Sequence, residues 1–269
     1  MIDALEAALA AIDGAEPAIL VEVTEVLGSA PREAGASMLV TESATFGTIG
    51  GGELEWRAMQ RAREALAGET VPERLQLPLG PALQQCCGGH VTLTLTRLAP
   101  GQRADLARRL AAERERLPRV VLFGAGHVGQ AVARALEPLP CRLRWLDSRQ
   151  GFAPAEHVAE PAAVRTAPTD LVLVMTHSHA LDLAIVEARL RQQDFAWLGL
   201  IGSATKRRRF EGQLVAAGIP AERLGRLVCP IGLASIKGKE PAVIAASVTA
   251  QMLTVIEALA SGRNMRSVA

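Results

Sequence analysis

The sequence has almost no net charge: Lys and Arg number 29 against 28 Asp and Glu in 269 residues. A near-neutral chain offers no global field for nucleic acid or an anionic membrane, so neither is an expected partner and any basic chemistry has to be local. The opening stretch, MIDALEAALAAIDGAE, carries acids where a secretion signal carries positive charge, and no run reads as the roughly 18 apolar residues of a membrane span. Both absences predict a cytoplasmic protein. Cysteine is scarce too, at Cys86, Cys87, Cys141 and Cys229 only. One adjacent pair and two distant singles suit neither a disulfide framework nor a tetrahedral zinc site, which predicts reduced thiols. Against these absences stands a hydrophobic content of 49%, enough for two modest domains with cores of their own.

Apolar residues at helical spacing (Ile2, Leu5, Leu9, Ile12) predict a short first helix that stops at Gly14. AILVEVTEVLG and SMLVT, separated by a loop, predict a hairpin-like strand pair. Gly47, Gly50, Gly51 and Gly52 then lead into a helix from Glu53 to Ala67, in a turn expected to expose backbone N–H groups. VTLTLTRL alternates strictly and predicts a half-buried strand, which leaves Cys86, Cys87, Gly88 and Gly89 on the loop before it. DLARRLAAERERL reads as a charged helix with a thin apolar stripe, the composition of a connector or a solvated surface helix. The expected domains are therefore 1–100 and 119–269, joined by a connector helix over 101–118.

From Arg119 the pattern changes to buried strands alternating with helices: RVVLF, CRLRWLD, LVLVM, WLGLIG and GRLVCPIG. The fold class predicted is α/β, a C-terminal Rossmann-like doubly wound parallel sheet beside a smaller N-terminal α+β domain. PAVIAASVTAQMLTVIEALA predicts a long final helix, opened by a proline and buried on more than one side. That breadth points to a homodimer, although burial within the chain predicts the same pattern.

Gly124, Gly126 and Gly129, with His127 between them, follow a strand and open a helix, and Asp147 ends the next strand about 20 residues on. This is the dinucleotide fingerprint: the glycines admit a phosphate to the positive end of a helix, and the acid accepts from a ribose hydroxyl. The plainer alternative is a tight strand-to-helix turn with Asp147 capping the next loop. Arg149 is placed to favour a 2′-phosphate instead. His177 and His179 sit at the carboxyl edge of a strand, where a metal would need a third ligand from elsewhere. Ser203, Lys206 and Arg207 open another helix, combining a cap, open N–H groups and cations at a candidate phosphate clamp, and Lys237 extends the same chemistry. A solvated basic helix face is the other account of these cations. Cys86 and Cys87, adjacent on a glycine-rich loop, suit thiophilic metal chemistry, with Cys86 the first candidate.

Several phrases, GSAPREAGASMLV, GTIGGGELE, QCCGG, GAGHVG, LDSR, THSHALD, LGLIGSATKRRRF and CPIGLASIKGKEPAVIA, together resemble the XdhC/CoxI family of xanthine dehydrogenase accessory proteins. The resemblance implies a chaperone that binds the molybdenum cofactor (molybdopterin) as cargo. It would protect that cargo while a cysteine desulfurase exchanges an oxo ligand for sulfide, and deliver it to xanthine dehydrogenase. It implies no turnover, and it places the molybdenum contact on Cys86, the first residue of the Cys-Cys-Gly-Gly run. The competing readings are an NAD(P)-dependent oxidoreductase acting on a small substrate, with a nucleotide at the Rossmann site, and a pure interaction module using the final helix.

Overall fold

A computed structural model describes residues 2–12, 16–79, 88–152 and 154–261. The chain divides into two compact units, Met1–Arg116 and Leu117–Ala269.

The first unit is built on an antiparallel sheet. Strand β1 (Ala18–Leu27) pairs with β2 (Ser37–Thr41) on one side and β5 (His90–Arg97) on the other. Two strands absent from the sequence-level expectation, β3 (Thr45–Gly47) and β4 (Arg74–Pro78), complete the order β3-β2-β1-β5-β4. Both faces are covered, which is why the start of β1 is apolar at consecutive positions. Ile19, Val21 and Val23 pack with Leu54, Ala58 and Ala62 of helix α2 (Gly52–Leu66). Ala18 and Leu20 point the other way, toward helix α1 (Ile2–Ala11) and helix α3 (Pro100–Arg116). Helix α3 is thus not solvated all round: Leu106 and Leu110 are buried beside Leu5 and Ala8, and the helix belongs to the first unit.

The second unit is a six-stranded parallel sheet: β6 (Arg119–Phe123), β7 (Arg142–Asp147), β8 (Glu156–His157), β9 (Leu171–Val174), β10 (Trp197–Leu200) and β11 (Leu227–Val228). The order β11-β10-β9-β6-β7-β8 is the doubly wound arrangement, reversing between β6 and β9. Strand residues alternate between two apolar layers. Val121, Phe123, Val172 and Leu198 meet helices α5 (His179–Gln192) and α6 (Ala204–Ala216). Val120, Leu122, Leu171 and Leu173 meet helices α4 (His127–Leu136) and α8 (Pro241–Ala260), while the short α7 (Ala221–Leu224) precedes β11.

Helix α8 corrects one expectation: its 20 residues are long and apolar enough, by length and composition, to cross a membrane. Its buried residues Ala245, Val248, Met252 and Val255 share a core cluster with Val132 and Leu136 of α4, so packing inside the unit accounts for them.

Candidate functional site

The strand order reverses between β6 and β9, and the glycine turn follows the carboxyl end of β6, the edge where such folds hold their ligands. Each glycine has its own steric reason. Gly124 adopts φ +119°, and a Cβ there would overlap the carbonyl oxygen of Met175 at the end of β9. A Cβ at Gly129 would overlap the carbonyl of Gly124, so α4 sits against the turn only without a side chain there. Gly126 differs: its φ is −70°, it caps α4 with no side-chain bond, and a Cβ there would meet nothing within 4 Å. Its bareness keeps the N-terminal N–H groups of α4 open to an anion. Trp145 Nε1 donates to the Gly124 carbonyl at 2.9 Å and Gln130 Nε2 to that of Ala125 at 3.1 Å, fixing the turn from both sides.

Asp147 does not stand open to a ribose. Its Oδ2 accepts from the Ala125 N–H at 2.6 Å and from Arg149 at 2.9 Å, and its Oδ1 accepts from the Arg149 N–H at 2.8 Å and from Arg149 Nε at 2.9 Å. A carboxylate has about four acceptor positions, and all are taken. Burial alone would raise the pKa of Asp147, but bonds from the Arg149 side chain, the Arg149 and Ala125 N–H groups and the arginine charge outweigh it and lower it to about 2. The plainer alternative in the sequence, Asp147 as a cap, is the one the geometry gives. Phe152 supports the clamp, its ring centroid 3.8 Å from the Arg149 guanidinium.

The cations expected to clamp a phosphate are also committed. Lys206 Nζ donates to Asp182 Oδ2 at 2.6 Å and to the Ile201 carbonyl at 2.9 Å, with its side chain 11% exposed. Arg207 binds Glu211 at 2.6 Å and the carbonyls of Leu224 and Leu227, holding α7 and β11 in place. Both side chains are thus already engaged by the framework and not the free clamps the sequence suggested, because carboxylate and carbonyl partners compensate a half-buried cation there. Ser203 caps α6 by accepting from the Lys206 N–H at 3.2 Å and remains exposed. His127, His177, His179 and Lys237 are exposed as well. Among the described residues no group of three His, Cys, Asp or Glu is gathered as a metal site would need.

Sequence reasoning missed Asp182, although it lies within THSHALD. Its carboxylate accepts from the N–H and hydroxyl of Thr176 at 2.9 and 2.7 Å, so with Lys206 it laces the ends of β9 and β10 to α5 and α6. It also missed Glu55, three residues past the glycine run. Glu55 Oε2 accepts from the Thr48 hydroxyl at 2.5 Å and from the N–H groups of Ile49 and Gly51 at 2.9 and 3.1 Å. The turn expected to present open N–H groups therefore turns at least two of them onto its own carboxylate: burial would raise the pKa of Glu55, but the Thr48 hydroxyl and the N–H groups of Gly51, Ile49 and Gly50 together lower it.

Cys86 and Cys87 lie outside the described residues. Gly88 is exposed, while Gly89 is buried and bare because a Cβ there would overlap the Ser29 carbonyl. The Leu79 N–H donates to the Gly89 carbonyl at 2.7 Å. Cys141 is buried in the apolar layer under α4 and α8, and Cys229 stands beside Gly202 at the end of β11, where burial raises its pKa.

The fold and the turn define a two-unit protein whose second unit is a Rossmann domain with a bare glycine turn at the start of α4. A family model described as the XdhC Rossmann domain matches residues 120–252, and one described as the XdhC and CoxI family matches residues 11–76. The chain belongs to the XdhC and CoxI family. The uncharacterized protein YqeB of Escherichia coli (strain K12) is 29% identical over 259 residues, an alignment covering 89% of this chain. The chain spans only 43% of the length of that relative. A crystal structure described as a xanthine dehydrogenase from Bacillus halodurans shares the fold, with a TM-score of 0.76 over 96% of each chain at 22% identity.

Proposed function

We propose that this chain is an accessory factor of xanthine dehydrogenase that carries the molybdenum cofactor, shelters it while a cysteine desulfurase supplies sulfide, and hands it on. The observation that carries this reading is the pairing of an open phosphate cradle at Gly126 with an Asp147 that has no acceptor left for a ribose. Molybdopterin ends in a phosphate and has no ribose, so it asks for the first feature and not the second. An adenine dinucleotide asks for both.

In this reading the N–H groups at the start of α4 bind the phosphate, assisted by the helix dipole, and Trp145 and Gln130 keep the turn from yielding when the ligand leaves. The lattice of Thr176, Asp182 and Lys206 makes the neighbouring edge rigid. The thiol of Cys86 supplies the soft ligand for molybdenum.

The test is metal analysis with pterin fluorescence on protein purified without oxygen from cells that make the cofactor, beside Gly126→Ala and Cys86→Ala. Bound molybdopterin that both substitutions diminish supports the carrier. A retained nicotinamide nucleotide with no pterin overturns it in favour of the oxidoreductase.

A further inference from the structure

The carboxyl edge of the second unit holds another hollow, which the phosphate cradle does not use. It lies past the ends of β10 and β11, between the loop 229–240 and helix α8, and has a volume of about 560 Å³. That is the size of a small-molecule pocket. Its walls are largely apolar, with Ile201, Val228, Ile231, Leu233 and Ile244 among them, and among the described residues Lys237 is the one charged residue lining it. Two polar side chains of α8, Ser247 and Gln251, line the same hollow although they are only 6% and 5% exposed. They are one helical turn apart and so share a face.

Their hydrogen bonds leave a remainder. Gly232 N–H donates to Gln251 Oε1, and Leu233 N–H donates to Ser247 Oγ, each at 2.7 Å. Because Gly232 brings a donor, the amide oxygen of Gln251 has to face it, and the NH2 group is turned away. Among the described residues nothing accepts from that NH2 group, nor from the Ser247 hydroxyl proton. The nitrogen is also not one of the sealed, unpaired atoms of the interior. Tying down the loop needs only acceptors from α8, so these donors are surplus to it. Both side chains line the hollow, so these donors stand open to an acceptor that enters it.

We propose that this hollow binds a flat, oxo-bearing heterocycle with an anionic tail. The donors of Gln251 and Ser247 meet a carbonyl oxygen or ring nitrogen at the edge of the ring, the apolar walls cover its faces, and Lys237 at the mouth meets the tail. Two sources share that chemistry. One is the ring end of the cofactor itself, with its phosphate kept at the start of α4 and Lys237 left unengaged, which rests on the carrier reading above. The other is a separate heterocyclic metabolite, which does not.

The test is calorimetric titration of the full chain with pterin-6-carboxylate at about pH 8, where carboxylates are ionised. Gln251→Glu keeps an acceptor for the Gly232 N–H, so the loop stays tied, but replaces the donors with a charge. Saturable binding that falls roughly ten-fold or more in Gln251→Glu is expected. Lys237→Gln, at an exposed position that packing does not depend on, should lose the preference for pterin-6-carboxylate over uncharged pterin. No binding to the unaltered chain, or equal affinity in all three proteins, overturns the site. Cofactor retention by Gln251→Glu then separates the sources: diminished retention makes the ring part of the cargo, and undiminished retention with loss of the probe assigns the hollow to a separate heterocycle. A chain that never retains cofactor but binds the probe through Gln251 refutes the carrier and leaves this site standing.

Discussion

Arg149 closes both its guanidinium and its own backbone N–H onto Asp147, three bonds of 2.8 to 2.9 Å within a span of two residues. The carboxyl is 2% exposed and its pKa is lowered from 3.8 to about 2. A carboxylate with a depressed folded pKa stabilises the fold above its unfolded pKa and loses that contribution as pH falls through the folded one. Roughly 2 kcal/mol should therefore be lost between about pH 4 and pH 2. Urea denaturation across that window should show the loss in the unaltered chain and much less of it in Arg149→Ala. The same substitution opens acceptor positions on Asp147, so NAD affinity should rise several-fold; an unchanged or lower affinity would show that Asp147 was never the obstacle.

Gly124→Ala and Gly126→Ala should separate folding from binding. The first forces a side chain into φ +119° and onto the Met175 carbonyl, at a cost of about 3 kcal/mol or more. The second meets nothing and keeps an ordinary φ, so thermal stability should hold while phosphate-bearing ligands weaken by roughly ten-fold or more. A stable Gly126→Ala chain with full affinity would remove the turn from the site.

Lys206→Met should act on stability first. It strands the Asp182 carboxylate, 1% exposed, without its cation, which typically costs about 3 to 5 kcal/mol. Denaturant melts should show this, and ligand affinity measured on the fraction still folded should stay near that of the unaltered chain. A well-folded variant that has lost phosphate affinity would return Lys206 to the ligand.

Glu55→Ala should loosen the first unit by about 1 to 3 kcal/mol, because at least two N–H groups and the Thr48 hydroxyl lose their acceptor together. The lowered pKa of Glu55 gives the sign of the acid dependence: its contribution is present above the ordinary 4.5 and is lost as pH falls below it. A melting temperature equal in both proteins at neutral pH, and an equal acid dependence, would count against the bond network.

The sheet of the second unit was readable because its buried strands are continuous apolar runs and its helices start at glycine or a cap, signals carried by neighbours in sequence. The strands β3 and β4 escaped because TFG and RLQLP are too short or too polar to declare themselves, and they hold only by pairing with β2 and β5. The glycine turn was legible for the same local reason as the sheet, since spacing alone states where backbone must approach backbone. The charged residues were not. Lys206 and Asp182 are 24 positions apart, and Arg149 sits two residues from an acid that the fingerprint reserves for a ribose.

The sequence by itself determined the α/β class, the glycine turn between Gly124 and Gly129 and the family, because each is written in local spacing and bareness. Only the tertiary structure decided which charges remain available to a ligand. Whether a lysine faces solvent, a phosphate or a buried carboxylate depends on what distant strands bring beside it, and a buried opposite charge a few ångströms away outweighs any pattern along the chain.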